Sequence, residues 1–179
     1  MAANERWVLC RNTSLILAYG SNLLWERMEG RCPDAEPVGT TVIPGYRMLF
    51  KESMTGAYCT VEQDANSFVP AAVYRISFVD EARLDRAEGC PKYYYKREFF
   101  LPVFTMDGKK MRGRKSCIAY VLRENRMLGE PSDEYYRIVE RGYAEWGFDD
   151  AILQKALSDS IGSKAAEKWL KKHSRKGNT

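Results

Sequence analysis

The sequence predicts an α+β domain, with strands in the middle of the chain and helices gathered towards its end. Apolar runs of strand length dominate residues 14–123, and the best helical periodicity follows only after residue 131. Strands and helices do not alternate regularly, which argues against the α/β class. With 179 residues and 45% hydrophobic content, one domain can bury a sizeable core.

The first predicted strand runs into a short polar loop. Residues 15–18 are an apolar run, which Gly20 and Asn22 interrupt. Gly20 can adopt backbone angles closed to other residues, and Asn22 is a favourable N-cap for a short helix that Gly30 stops. Backbone N–H groups at such a helix start converge and bind anions, including carboxylates. An ordinary strand-to-helix turn explains the same residues, so the loop alone does not define a site.

The middle of the chain predicts five strands and one brief helix. Pro44-Gly45 bends the first of these strands, and Asp107-Gly108 forms a hairpin turn between the last two. Asp80 is expected to cap a helix over residues 81–88, which Gly89 ends. The predicted strands are residues 40–51, 57–62, 71–76, 95–106 and 116–123.

The strongest helical pattern begins after Ser132, which is a favourable N-cap, and Gly147 ends it. Further helices are expected from about Asp149 and over residues 165–172. We divide the chain into an extension (1–13), one domain (14–158) and a basic helical tail (159–179). The core-facing stripe of the first helix is Tyr135, Ile138, Val139, Gly142, Tyr143 and Trp146.

The composition narrows the chemistry. His173 is the single histidine and lies in the basic tail, which disfavours Ser-His-Asp and Cys-His catalysis. His and Cys ligands at short spacings are missing, so we expect no zinc site and no metal. The sequence also lacks a P-loop, a GxSxG elbow, a GxGxxG fingerprint and an EF-hand loop. If the protein is an enzyme, a carboxylate is the expected proton carrier.

Cysteine usage and charge suggest a compartment and exclude some partners. The five scattered cysteines never form a CxxC pair, which predicts reduced thiols in a cytoplasm. No signal-peptide pattern or membrane-spanning run is present, so we expect no membrane partner. The net charge of +4 comes largely from residues 109–115 and the tail. A solvated hairpin tip and tail explain these clusters better than a nucleic-acid partner. The oligomeric state stays open, a homodimer included.

One carboxylate is a candidate for catalysis. Glu88 is expected to be the last residue of its helix, where its charge meets the negative end of the helix dipole. Shielding from water would add to this effect and make Glu88 a stronger base near neutral pH. A solvated surface glutamate beside a C-cap glycine is the simpler explanation of the same residues.

Five landmarks, taken in order, resemble the γ-glutamylcyclotransferase-like family, which includes the AIG2-like proteins. The resemblance covers about residues 14–155. The landmarks are Tyr19-Gly20-Ser21-Asn22-Leu23 after an apolar strand, Ala72 to Ile76 leading to Glu88-Gly89, Tyr95 seven residues later, the Asp107-Gly108 hairpin leading to Tyr120, and Pro131 to Tyr135 opening a helix.

The resemblance implies a small mixed β-barrel flanked by helices, with a ligand cavity at one end. It also implies an enzyme that needs no cofactor and acts on a small-molecule γ-glutamyl substrate. In that reaction the substrate's own α-amine attacks the γ-carbonyl, which yields 5-oxoproline and a free amine or amino acid. The matching positions are Glu88 as acid/base, the backbone of Tyr19, Gly20, Ser21, Asn22 and Leu23 around the glutamyl group, and Tyr95, Tyr120 and Tyr135 along the pocket.

Two departures and two alternatives accompany the resemblance. Tyr58-Cys59-Thr60 stands where many relatives have smaller residues, which predicts a different pocket wall, and the tail after about residue 158 is unmatched. One alternative is a cyclotransferase for γ-glutamyl amines or for a γ-glutamyl-masked biosynthetic intermediate. The other is a binding module of the same fold without catalysis, against which the presence of Glu88 counts.

Overall fold

A computed structural model describes residues 13–175, and within them five strands close into a barrel. The strand order around the barrel is β1-β3-β2-β4-β5, and β1 closes it by pairing in parallel with β5. All other neighbouring strands are antiparallel. The strands are β1 (Thr13–Ala18), β2 (Glu36–Glu52), β3 (Ala57–Ser77), β4 (Tyr94–Thr105) and β5 (Lys110–Leu122).

The α+β prediction, with helices towards the C-terminus, is confirmed. Residues 1–12 of the predicted extension and residues 176–179 of the predicted tail lie outside the described residues. Within the described part, no helix is long and apolar enough to cross a membrane. The helices are α1 (Trp25–Arg31), α2 (Phe78–Glu88), α3 (Asp133–Trp146), α4 (Asp150–Ile161) and α5 (Ser163–Arg175), and a 3-10 turn covers Ser21–Leu23.

The two strands predicted at residues 57–62 and 71–76 are one strand, β3. Residues on both sides of the polar stretch 64–67 pair with the same neighbour, β2. The stretch itself is a local excursion, in which the Asp64 side chain accepts hydrogen bonds from Asn66 and Ser67. Polar residues therefore interrupt the apolar pattern without ending the strand. The predicted bend at Pro44-Gly45 is confirmed by a shift of register there.

Helix α2 begins earlier than its sequence pattern predicts. Ser77 is its N-cap and accepts a hydrogen bond from the Asp80 amide at 3.1 Å. Asp80 is not the cap but a fully buried residue inside the helix, where it accepts a bond from the Asp34 amide at 2.7 Å. Burial of a carboxylate is tolerated when such partners are present. The predicted end is confirmed, because Gly89 adopts the left-handed conformation at φ 63°.

The C-terminal helices cover the barrel. Ser132 caps α3 and Gly147 ends it, as predicted. The buried face of α3 also includes Tyr136, which lies outside the predicted stripe. Helix α5 docks on the core through three buried residues, Ala166, Trp169 and His173, and the His173 ring stacks on Trp169 with centroids 4.1 Å apart.

Candidate active site

A cavity of about 460 Å³ opens where several elements end close together. The end of β1, the tip of the β2–β3 hairpin, the last turn of α2 and the starts of β4 and α3 all contribute to its wall. The sequence-predicted residues at this cavity are Tyr19, Gly20, Ser21, Asn22, Glu88, Tyr120 and Tyr135.

The polar loop after β1 differs in detail from its prediction. Asn22 does not cap a helix, since residues 21–23 form the 3-10 turn and α1 begins only at Trp25. The Asn22 side chain instead donates to Glu88 Oε1 at 3.0 Å and accepts from Arg31 at 2.7 Å. The tertiary partners have replaced the local cap. The backbone amides of Ser21 and Asn22 donate to no other described residue, so both are free to bind a ligand.

Close packing against the cavity wall accounts for glycine at position 20. Its φ of −120° and ψ of −135° lie outside both the helical and the extended region, which agrees with the predicted use of unusual backbone angles. A Cβ at this position would lie 2.9 Å from the Cys59 Cβ and 3.4 Å from the Tyr135 hydroxyl. Glycine therefore lets the loop lie directly against the cavity wall formed by β3 and α3.

Helix α2 brings Glu88 to the cavity and is anchored against the barrel. Lys96 of β4 forms ion pairs with Glu81 at 2.6 Å and Asp85 at 2.8 Å. The Tyr120 hydroxyl donates to Asp85 at 2.6 Å. These contacts fix the last two turns of the helix, so the position of Glu88 at its C-terminus is set by the sheet.

Glu88 is held on one side and open on the other. Arg31 contacts Glu88 Oε1 at 2.7 Å, and Asn22 donates to the same oxygen. No described residue donates to Oε2. The side chain is 11% exposed, and the Arg31 guanidinium supplies a counter-charge at the negative end of α2. The carboxylate thus has a fixed orientation and one oxygen available to a ligand.

Two of the residues predicted to contact substrate lie elsewhere. Tyr95 does not line the cavity, because its hydroxyl donates to Glu124 and its ring lies beside Arg97. The neighbouring Tyr94 lines the cavity instead, since successive strand residues point to opposite faces. Leu23 is fully buried beneath the loop, and its carbonyl accepts bonds from Tyr74 and Trp146 rather than facing the cavity.

The buried hydroxyl and thiol groups of the wall stay neutral. Burial raises the pKa of Tyr19, Tyr94 and Tyr135 well above the ordinary value for tyrosine. Burial likewise raises the pKa of the Cys59 thiol to about 12. At neutral pH the tyrosines can therefore orient a ligand by hydrogen bonds, whereas Cys59 is a poor nucleophile. Glu88 is the carboxylate that lines the cavity beside them.

Part of the cavity wall consists of residues that the sequence patterns did not predict. Tyr94 contributes aromatic surface, and Arg27 and Arg31 contribute guanidinium groups. Tyr58 and Cys59, which the sequence associates with the pocket wall, do line the cavity. The two arginines are four residues apart on α1 and therefore share a face, which is a signal that the sequence did contain. Among residues 13–175, no group of three or more His, Cys, Asp or Glu side chains is arranged to hold a metal ion.

Comparisons with known proteins identify the family and the relatives of this chain. A model of the family described as gamma-glutamyl cyclotransferase, AIG2-like, matches residues 16–144. A mouse gamma-glutamylcyclotransferase is 27% identical over 150 residues, which cover 80% of this chain and 77% of the mouse protein. The chain is thus related to that protein over most of both lengths.

Solved structures share the fold. A structure described as gamma-glutamyl cyclotransferase has a TM-score of 0.68 at 27% identity, and the match covers 89% of this chain and 99% of that one. An uncharacterised human protein also has a TM-score of 0.68 at 27% identity, over 81% of this chain and 86% of its own. The overall fold of this chain is therefore similar to that of both structures.

Proposed function

The chain belongs to the γ-glutamyl cyclotransferase, AIG2-like family, and from that premise we propose that it cleaves a γ-glutamyl amide into 5-oxoproline and a free amine or amino acid. Glu88 is the proposed acid/base. The observation that supports this role is the free Oε2 of a carboxylate whose other oxygen is held by Arg31 and Asn22 at the cavity wall.

The proposed reaction uses the substrate's own nucleophile. The α-amine nitrogen attacks the γ-carbonyl carbon, a new C–N bond closes the five-membered ring, and the original γ-amide C–N bond breaks. Glu88 accepts a proton from the attacking amine and returns it to the leaving nitrogen, so that one carboxylate serves both steps. Because no group is transferred to the protein, this mechanism requires neither a protein nucleophile nor a cofactor.

The remaining task of the cavity is to hold the substrate in a folded conformation. Attack requires the α-amine and the γ-carbonyl to approach within about 3–3.5 Å, and holding two groups in this geometry lowers the barrier. The free amides of Ser21 and Asn22 are the proposed donors to the glutamyl carboxylate. Neutral tyrosine hydroxyls, including those of Tyr94 and Tyr135, would orient the remaining polar groups.

The test is an incubation of the purified protein with a panel of γ-glutamyl amino acids, peptides and amines, with 5-oxoproline followed by mass spectrometry. Replacing Glu88 by glutamine keeps its size and removes the acid/base function. We expect Glu88→Gln to lower kcat by about 10²- to 10⁴-fold. Glu29→Gln is the matched control, because Glu29 is exposed on α1 and should leave kcat unchanged.

Two outcomes would contradict the proposal. If the wild type forms no 5-oxoproline from any member of the panel, the reaction class is wrong. If Glu88→Gln turns over at the rate of Glu29→Gln, the reaction stands but the acid/base lies elsewhere. Melting curves of both variants show whether a loss of rate reflects a loss of fold.

A further inference from the structure

The charged side chains of the cavity leave two positive charges without an internal counter-charge. The charged side chains that line the cavity are Arg27, Arg31, Arg86 and Glu88. Arg31 forms an ion pair with Glu88, which leaves Arg27 and Arg86 as the two unpaired positive charges. Arg86 is exposed at the rim, whereas Arg27 is half-buried. A cavity with this balance favours an anionic ligand that carries more than one negative charge.

Arg27 is the less satisfied of these two arginines. Its Nε is buried and has no hydrogen-bond partner among the described residues. Nor does the guanidinium form an ion pair with any carboxylate within residues 13–173. Burial and the neighbouring Arg31 lower the pKa of Arg27, in agreement with a guanidinium that has no carboxylate partner among these residues. A carboxylate of the ligand would supply the missing partner.

The position of Arg27 relative to Glu88 suggests which carboxylate this is. Arg27 precedes Arg31 by four residues of α1, about 6 Å along the axis, and Arg31 contacts Glu88. In the proposed reaction the leaving nitrogen lies within hydrogen-bond distance of Glu88. When the leaving group is an α-amino acid, its carboxylate is attached only two bonds from that nitrogen. It therefore lies within reach of a guanidinium beside Glu88.

We propose that Arg27 is a specificity-determining residue that binds the carboxylate of the leaving group. The protein then acts on γ-glutamyl amino acids, or on peptides whose carboxylate lies close to the scissile bond, rather than on γ-glutamyl amines. This inference rests on the proposed function, which assigns the glutamyl carboxylate to the amides of Ser21 and Asn22. The planar guanidinium can bind a carboxylate through two parallel hydrogen bonds.

The balance of charge agrees with this assignment. A γ-glutamyl amino acid with a neutral, attacking α-amine has two carboxylates, one for the amides of Ser21 and Asn22 and one for Arg27. Its charge of −2 balances the net positive charge of the cavity's side chains. A γ-glutamyl derivative of a simple amine has only the glutamyl carboxylate. Such a substrate would leave the half-buried guanidinium of Arg27, whose Nε is buried, without an anion.

The test compares two substrates that differ only in the leaving-group carboxylate, γ-glutamyl-alanine and γ-glutamyl-alaninamide. We expect the wild type to prefer the acid in kcat/KM by about 10- to 100-fold, as a charge-assisted hydrogen bond implies. Arg27→Gln should lower kcat/KM for the acid by a similar factor and change that for the amide by less than about threefold. Arg27→Lys keeps the charge but loses the planar guanidinium, so its kcat/KM for the acid should lie between that of the wild type and that of Arg27→Gln.

Controls separate this contact from general effects of charge and from loss of fold. Arg141→Gln removes an exposed arginine of α3 that pairs with Glu26, and it should preserve the wild-type preference. Melting temperatures of all variants identify any that fail to fold. If the wild type cleaves acid and amide equally well, or if Arg27→Gln lowers both equally, the inference about Arg27 is wrong while the proposed reaction stands.

A binding measurement keeps the inference testable without turnover. In the Glu88→Gln background, calorimetry should show tighter binding of γ-glutamyl-alanine than of γ-glutamyl-alaninamide, and adding Arg27→Gln should remove that difference. If neither the wild type nor any variant forms 5-oxoproline, but Glu88→Gln still binds the acid more tightly than the amide, the proposed function is wrong while the contact between Arg27 and the carboxylate stands. Equal binding of the two compounds to Glu88→Gln would overturn the contact.

Discussion

Adding one methyl group at Gly142 tests how closely α3 holds the loop that lines the cavity. Gly142 is buried on α3, where a Cβ would lie 2.5 Å from the Leu23 Cβ and 2.9 Å from the Leu24 backbone nitrogen. Ordinary contact begins at 3.4 Å, so the helix and the loop must separate by about 0.9 Å, the difference between 3.4 and 2.5 Å. Backbone atoms form part of the contact, so a change of rotamer cannot relieve it.

Two opposing effects set the stability of Gly142→Ala. Alanine is favoured over glycine in a helix interior by about 1 kcal/mol. Overpacking of a tight core costs about 1–3 kcal/mol. The central expectation is a net loss of about 1 kcal/mol, or about 2–4 °C in Tm for a chain of this length. The displaced loop should cost more in activity, because misplacing a catalytic site by about 1 Å can lower the rate by about 10²-fold.

Gly30→Ala is the matched control for this substitution. Gly30 lies in helix α1, and a Cβ there would meet no atom within 4 Å. It should raise Tm by up to about 2–4 °C and leave kcat/KM for 5-oxoproline formation unchanged. If Gly142→Ala matched Gly30→Ala in both Tm and kcat/KM, the close packing of α3 on the loop would not position the site.

Two further variants probe the loop wall and the anchor of α2. Gly20→Ala should lower kcat/KM by about tenfold or more, because the new Cβ would press against the Cys59 Cβ. The double variant Gly20→Ala/Cys59→Gly should recover part of that loss. Equal kcat/KM of the wild type and Gly20→Ala would refute this reasoning. Lys96→Met should destabilise the fold by about 1–2 kcal/mol at neutral pH through loss of its bonds to Asp85 and Glu81. Burial disfavours the charged form of Lys96, but the bonds to Asp85 and Glu81 outweigh this effect and raise the pKa of Lys96 above 10.5. The stability that Lys96 contributes is therefore complete below its unfolded pKa of about 10.4 and is lost as the pH rises through its folded pKa. The difference in Tm between wild type and Lys96→Met should thus be constant from pH 7 to about 10 and shrink above it, and a difference that grew with pH would contradict the assignment.

Local patterns predicted those features whose causes are local. Ser132 before the α3 stripe and Gly89 at the end of α2 act through adjacent backbone, and both lie where the sequence placed them. Glu88 ends its helix for the same reason. The order of strands and helices, and hence the α+β class, likewise follows from periodicity along the chain.

Features that depend on residues distant in sequence could not be predicted from local patterns. Asn22 is a good N-cap, yet its side chain bonds to Glu88 and Arg31, which the fold brings within 3.0 Å of it. The choice between Tyr94 and Tyr95 depends on strand register, since a shift of one residue exchanges the two faces. The unpaired charge of Arg27 emerges only when α1 is packed beside the cavity.

The parallel pairing of β1 with β5 has a consequence for how the site assembles. Ile16 and Leu17 meet Ile118 and Ala119, about a hundred residues later in the chain, and the loop that lines the cavity follows β1 directly. Contacts between such distant segments form slowly, because a long stretch of chain must first lose its freedom. During synthesis from the N-terminus, β1 can pair with β5 only after β5 has been synthesised, so the loop after β1 reaches its final position late. Ligand binding becomes a property of the nearly complete domain, and fragments that end before β5 are expected to lack it.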